Sequence, residues 1–141
     1  MLKIFKFSFG RMSFIMSVIE KRVYYHDTDA GGVVYYANYL DFLEEARTLF
    51  LEERKIACHV EFLYAVRECS IKYLCPARYG DILICDAQVS KLTAAQIFFD
   101  QKIYLKTDKK LIAEAKVVLV SLNKEFKPVI IPEPIRERIL S

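Results

Sequence analysis

The chain has 141 residues, the size of one domain and enough to bury a core. It is 54% hydrophobic and 28% charged, which excludes a disordered chain. Its net charge of +3 is small, and its basic residues are interspersed with acidic ones (Glu44, Glu45, Arg47, Glu52, Glu53, Arg54), which argues against a nucleic-acid partner. Nine Tyr and ten Phe point to an aromatic core or a protein interface.

The first sixteen residues, MLKIFKFSFGRMSFIM, are basic and aromatic. Lys3, Lys6 and Arg11 interrupt any apolar region and no small-residue cleavage site follows, so this is a poor secretory signal. No apolar run is long enough to span a bilayer. The expectation is one domain over 17–141, with 1–16 a start-site overrun or a flexible arm, and Met16 as the physiological start. The alternation of Lys and Phe also suits a peripheral arm on a membrane surface.

Val18 to His26 (VIEKRVYYH) reads as a first strand, because β-branched and aromatic residues favour the pleated conformation. The next residues, DTDAGG, are a dense turn signal. A helix follows. Tyr39, Phe42, Leu43, Ala46, Leu49 and Phe50 fall at helical spacing, with Leu40 and Leu51 widening the apolar stripe. Asn38 has the side chain of an N-cap, and Arg54 and Lys55 suit the negative end of the helix. This predicts a helix from Asn38 to Arg54.

Beyond a looser stretch from Ile56 to Tyr64 the period changes to two. Arg67, Cys69, Ile71, Tyr73 and Cys75 alternate with Glu68, Ser70, Lys72 and Leu74. Pro76 to Asp81 breaks that strand; Ile82 to Val89, Ile97 to Lys106 and Leu111 to Leu122 continue the series. The short links predict an antiparallel meander of four strands. Pro134 marks the first turn of a short closing helix through Leu140. The fold class is α+β, an antiparallel five-stranded sheet wrapped around one long central helix. Cys58, Cys69, Cys75 and Cys85 include no CxxC pair and read as reduced, buried, structural thiols.

Chemistry concentrates between Val23 and Arg47. Asp27 and Asp29 flank Thr28 at a strand end, and Gly31 and Gly32 precede a helix start. A carboxylate there can act as base or nucleophile while backbone N–H groups and the helix dipole stabilise developing negative charge. Tyr24, Tyr25, Tyr35 and Tyr36 could wall the pocket. Taken alone, Asp-Thr-Asp before Gly-Gly is also ordinary turn chemistry. His26, Asp29, Cys58 and His59 match no standard ligand spacing, so no metal is expected. Arg47 and Arg67 could contact a ligand phosphate or pair with Glu45 or Glu68, and the ion pair is the stronger expectation for each.

The ordered run Asp27-Thr28-Asp29-Ala30-Gly31-Gly32-Val33-Val34-Tyr35, then Asn38-Tyr39, then Glu45-Ala46-Arg47, resembles the hotdog-fold acyl-CoA thioesterases of the 4-hydroxybenzoyl-CoA thioesterase type, most closely the YbgC-like branch associated with the Tol-Pal system. Val66-Arg67 and Tyr73 to Arg78 extend the resemblance. It implies a hotdog fold and hydrolysis of acyl-CoA to free acid and CoA. Asp29 would be the catalytic general base or nucleophile, and Asp27 would hold the turn. Tyr25, Gly31, Gly32, Val33 and Tyr36 would contact the substrate. The branch often carries His where this chain has Tyr36, and a phenol is a poor proton shuttle at neutral pH. No cofactor is implied beyond the CoA of the substrate, although acyl carrier protein is an alternative carrier. A homodimer or a dimer of dimers, cytoplasmic and peripheral at the inner membrane, is the implied setting. Two other readings remain. One is a non-catalytic module that binds acyl chains or acyl carrier protein in envelope assembly. The other is a hydratase, which Asp29 without any His between Gly31 and Ile56 does not favour.

Overall fold

The computed structural model describes residues 16–58 and 60–141, together with the backbone of 7–9 and 12–14. The expectations for the start of the chain and for His59 fall largely or wholly outside the described residues. β1 (Phe7–Phe9) and β2 (Met12–Phe14) form a small antiparallel pair. The main sheet has five antiparallel strands: β3 (Met16–Arg22), β4 (Leu63–Tyr73), β5 (Ile82–Leu92), β6 (Gln96–Leu105) and β7 (Leu111–Leu122), in the order β3-β5-β6-β7-β4. The helix α1 (Asn38–Glu53) lies across one face, and α2 (Glu133–Leu140) closes the chain. This is the α+β architecture expected.

Period-two alternation makes one face of the sheet apolar. Leu83, Cys85 and Ala87 of β5, Ile97, Phe99 and Ile103 of β6, and Ala113, Ala115, Val117 and Leu119 of β7 are buried beneath α1. The alanines leave room for the larger side chains Phe42, Leu43, Phe50 and Leu51 of the helix. Phe50 and Phe99 meet edge to face, with centroids 5.4 Å apart. One polar side chain is set into this apolar face. Gln101 accepts from Arg47 Nη1 at 2.9 Å and donates through Nε2 to Leu43 O at 3.0 Å and Asp86 O at 2.9 Å. Every hydrogen-bonding atom of the buried amide therefore has a partner, and the helix is fixed in register on the sheet.

Several expectations are corrected. The four later strands are not one meander. β5, β6 and β7 are, but β4 pairs with β7 and lies at the far edge from β3, because Pro76 to Asp81 carries the chain across rather than back. The first strand stops at Arg22. A 3₁₀ turn at Tyr25–Asp27 replaces its end, since the Asp27 carboxylate accepts from Tyr24 N–H at 2.9 Å and curls the backbone. Asn38 is not the N-cap. Ala37 is, without a side-chain bond, and Asn38 is the first helical residue. Arg54 follows the helix as its C-cap and donates from Nη1 to Phe50 O at 2.8 Å. Arg47 pairs with neutral Gln101, while Glu45 bonds Lys21. All four cysteines are free, but Cys69 is exposed on the edge strand, and only Cys85 is fully buried. In α2, Pro134 stands in the first turn, as expected, and Arg138 ties the helix to Lys55 O and Glu61.

On the outer face of the sheet a cavity of about 330 Å³ is lined by residues that include Asp86, Lys102 and Tyr104. Burial pushes the Asp86 carboxyl up to about 6, against hydrogen bonds from Lys102 N–H and the Tyr104 hydroxyl. Ionising Asp86 is therefore harder in the folded chain than in the unfolded one. Its contribution is most favourable in acid and is lost as the pH rises through about 6. The unfolding free energy of wild type relative to Asp86→Asn should rise as the pH falls from about 8 to about 5. A gap that stays constant over that range in urea titrations would rule this out. Phe99→Ala should lower the unfolding free energy by about 3–5 kcal/mol in the same assay.

Candidate active site

Asp27 organises the loop between β3 and α1. It is 5% exposed. Its Oδ2 accepts from Tyr24 N–H, and Asn38 Nδ2 donates to its Oδ1 at 3.3 Å and to its carbonyl at 3.4 Å. The same carbonyl accepts from Tyr35 N–H at 2.8 Å. A buried carboxylate needs several donors, and these come from Tyr24 just past the strand end and Asn38 at the helix start, while the loop's Tyr35 N–H fills the carbonyl.

Asp29 stands on the loop so fixed. Its N–H donates to Val33 O at 2.9 Å, and Gly32 N–H donates to Asp29 O at 3.0 Å, closing a tight turn. Gly32 has φ +79°, a conformation strained for any side chain bearing a Cβ. Asp29 Oδ1 accepts from Gly31 N–H at 2.8 Å, and a Cβ on Gly31 would approach that oxygen to 3.1 Å. Both glycines thus serve the placement of one carboxylate. Oδ2 has no hydrogen-bond partner among the described residues.

The candidate residues are partly brought together. Asp29, Gly31, Gly32 and Val33 share the turn, with Val33 bridged to Arg78 and Val34 N–H bonded to Ala77 O. Tyr36 stands just beyond, 62% exposed, with its ring edge-on to Tyr35. Tyr25 is 84% exposed. The expectation that Tyr24, Tyr25, Tyr35 and Tyr36 wall a dry pocket is not met among the described residues. All four are exposed, as is Asp29, so the described residues leave this end of the sheet open. His26 is likewise exposed and contacts Asp27 rather than Asp29, with Nε2 3.5 Å from Oδ1. Cys58 is a weak acceptor for the Tyr64 hydroxyl at 3.5 Å. Among the described residues no three His, Cys, Asp or Glu side chains cluster as metal ligands.

Two contributors were not foreseen. Asn38 acts as a donor to Asp27. Tyr73, at the end of β4, donates its hydroxyl to Tyr36 O at 3.0 Å and packs against the rings of Tyr36 and Tyr39. It links the edge strand to the loop. No local pattern announces a contact 37 residues apart.

The "Thioesterase superfamily" model matches residues 31–112. The acyl-CoA thioesterase YbgC of Haemophilus influenzae is 38% identical over 120 residues, covering 82% of this chain and 88% of that protein. The chloroplastic acyl-acyl carrier protein thioesterase ATL3 of Arabidopsis thaliana is 35% identical over 127 residues, covering 86% of this chain and 66% of that protein. Among solved structures, Slr0204, a 1,4-dihydroxy-2-naphthoyl-CoA thioesterase from Synechocystis, superposes with a TM-score of 0.82 at 26% identity, covering 89% of this chain and 96% of that one. By a model match over most of its length and by relatives of this similarity, the chain belongs to the thioesterase superfamily.

Proposed function

We infer that this protein hydrolyses acyl-CoA thioesters, with Asp29 as the reacting carboxylate. The observation that carries the reading is the state of that side chain. One oxygen is anchored by Gly31 N–H at 2.8 Å and the other has no partner among the described residues, on a loop whose relatives are thioesterases. An acid so oriented can work in two ways. Oδ2 can take a proton from water as it adds to the carbonyl carbon. Alternatively it can attack that carbon itself, expelling CoA thiolate and leaving a mixed anhydride that water then cleaves. Either route ends in free acid and CoA. Neither needs a metal or a redox cofactor.

The exposure of Asp29 in one chain supports a homodimer as the working unit. β4 is an eleven-residue edge strand, and its outer side is unpaired among the described residues. Long open edges invite pairing with another chain. Through Tyr73 this edge adjoins Tyr36, so a second copy seated on β4 would cover the loop and exclude water from Asp29. Tyr25, Gly31, Gly32, Val33 and Tyr36 would then face the substrate. We extend the reading to a dimer of dimers in the cytoplasm, peripheral at the inner membrane, on the resemblance to the Tol-Pal-associated branch. No helix among the described residues is long and apolar enough to cross a membrane.

Asp29→Asn keeps the shape but cannot take a proton. Free-thiol release from a panel of aliphatic and aryl acyl-CoAs should fall by about 10²–10⁴. An Asn variant as active as wild type would sink the assignment. Light scattering should give at least twice the 16.5 kDa chain mass, and specific activity should drop on dilution below the dissociation constant of the pair. A fully active species of single-chain mass would disprove the shared site.

A further inference from the structure

Beside the Asp29 loop, four side chains form a ladder on the surface. The guanidinium carbon of Arg22 lies 5.4 Å from the ring centre of Tyr24 and 5.9 Å from that of Tyr79. Tyr24 in turn stacks on His26, with centroids 5.8 Å apart and planes 6° from parallel. The backbone holds the rungs in place. Val23 N–H donates to Asp81 O at 2.8 Å, and Gly80 N–H donates to Val23 O at 2.9 Å. The segment carrying Arg22 and Tyr24 is therefore clamped to the turn carrying Tyr79. The bond from Val34 N–H to Ala77 O, 2.8 Å, joins that turn to the Asp29 loop.

These rings lie on the surface and are not part of the core. Tyr24 remains 51% exposed and Tyr79 60% exposed. An exposed cation–π contact adds little to stability. No carboxylate among the described residues lies in salt-bridge contact with Arg22 or with Arg78 of the same turn. The surface thus offers flat aromatic faces and uncompensated guanidinium charge side by side. A ligand that matches both has a heteroaromatic ring to stack and a phosphate for the guanidinium to grip. We propose that the ladder Tyr79–Arg22–Tyr24–His26 binds the adenosine 3′,5′-bisphosphate end of CoA, so that the carrier is held outside the site while the thioester reaches Asp29. This rests on the reading of the chain as an acyl-CoA hydrolase.

The test uses one acyl group carried on CoA and on pantetheine, with wild type, Arg22→Gln and Tyr79→Leu in the full chain. Wild type should prefer the CoA ester in kcat/KM, and each variant should shrink that preference by about tenfold, the size of one lost stacking or charge contact. Adenosine 3′,5′-bisphosphate should compete with acyl-CoA in wild type and do so about tenfold more weakly in Arg22→Gln. A carrier preference that is absent in wild type, or unchanged in both variants, would overturn the proposal and leave the surface to a protein or membrane contact. If wild type cleaves neither ester, the hydrolase reading itself fails. Calorimetric titration of adenosine 3′,5′-bisphosphate into wild type and Arg22→Gln then decides the ladder alone: binding weakened by the substitution upholds it, and no binding rejects it.

Discussion

A buried carboxylate holds the site end of the molecule together. Asp27 sits where a strand ends, a loop turns back and the long helix begins, and it accepts hydrogen bonds from groups on each. A carboxyl group out of water is tolerable only when its oxygens have hydrogen-bond partners. The backbone therefore has to bring Tyr24 N–H and the Asn38 amide to it. The turn that results is the platform on which Asp29 stands, two residues on and in water. Two chemically identical side chains take opposite roles because one is enclosed by donors and the other is left with an open oxygen.

The helix, in turn, is locked to the sheet by more than apolar contact. Leu, Phe and Ile side chains can slide past one another at little cost, whereas a buried amide with fixed donors and acceptors cannot. Gln101 fills that role beneath α1, holding Leu43 O and Arg47. Burial draws the Arg47 pKa down, and the residue is held by a neutral amide rather than an acid. The expectation of an ion pair with Glu45 failed because it weighed charge alone. Glu45 points to Lys21 on the neighbouring strand, and Arg47 points into the core.

Much of the fold was legible because it is written in local periods. The stripe from Tyr39 to Phe50 gave the helix, and the Val-rich run from Leu111 to Leu122 gave β7 to the residue. The site loop was legible as an ordered motif, with its two acids and two glycines. What the sequence hid was pairing at a distance. Period two says that β4 is a strand, but not that its neighbour is β7 rather than β5. Asn38 looked like a cap because Asn accepts well at helix starts. Its partner eleven residues back, which uses it as a donor, leaves no mark in the spacing. The openness of the tyrosine-lined end was equally hidden, since a residue's type reports its preference for burial and not whether anything in the same chain reaches it.

Strand order also sets which pairings are available as the chain is synthesised. β5, β6 and β7 are joined by short links and pair in turn, so they can assemble from local contacts. Both edges come from earlier in the chain and have to wait. β3 finds β5, and β4 finds β7, only after the later strands exist. During synthesis the N-terminal half, including the helix and the acid-bearing loop, leaves the ribosome with no sheet to lie on. The acid-bearing turn is translated well before the sheet it lies against, and a chain cut short before Leu111 would lack the strand that anchors its far edge.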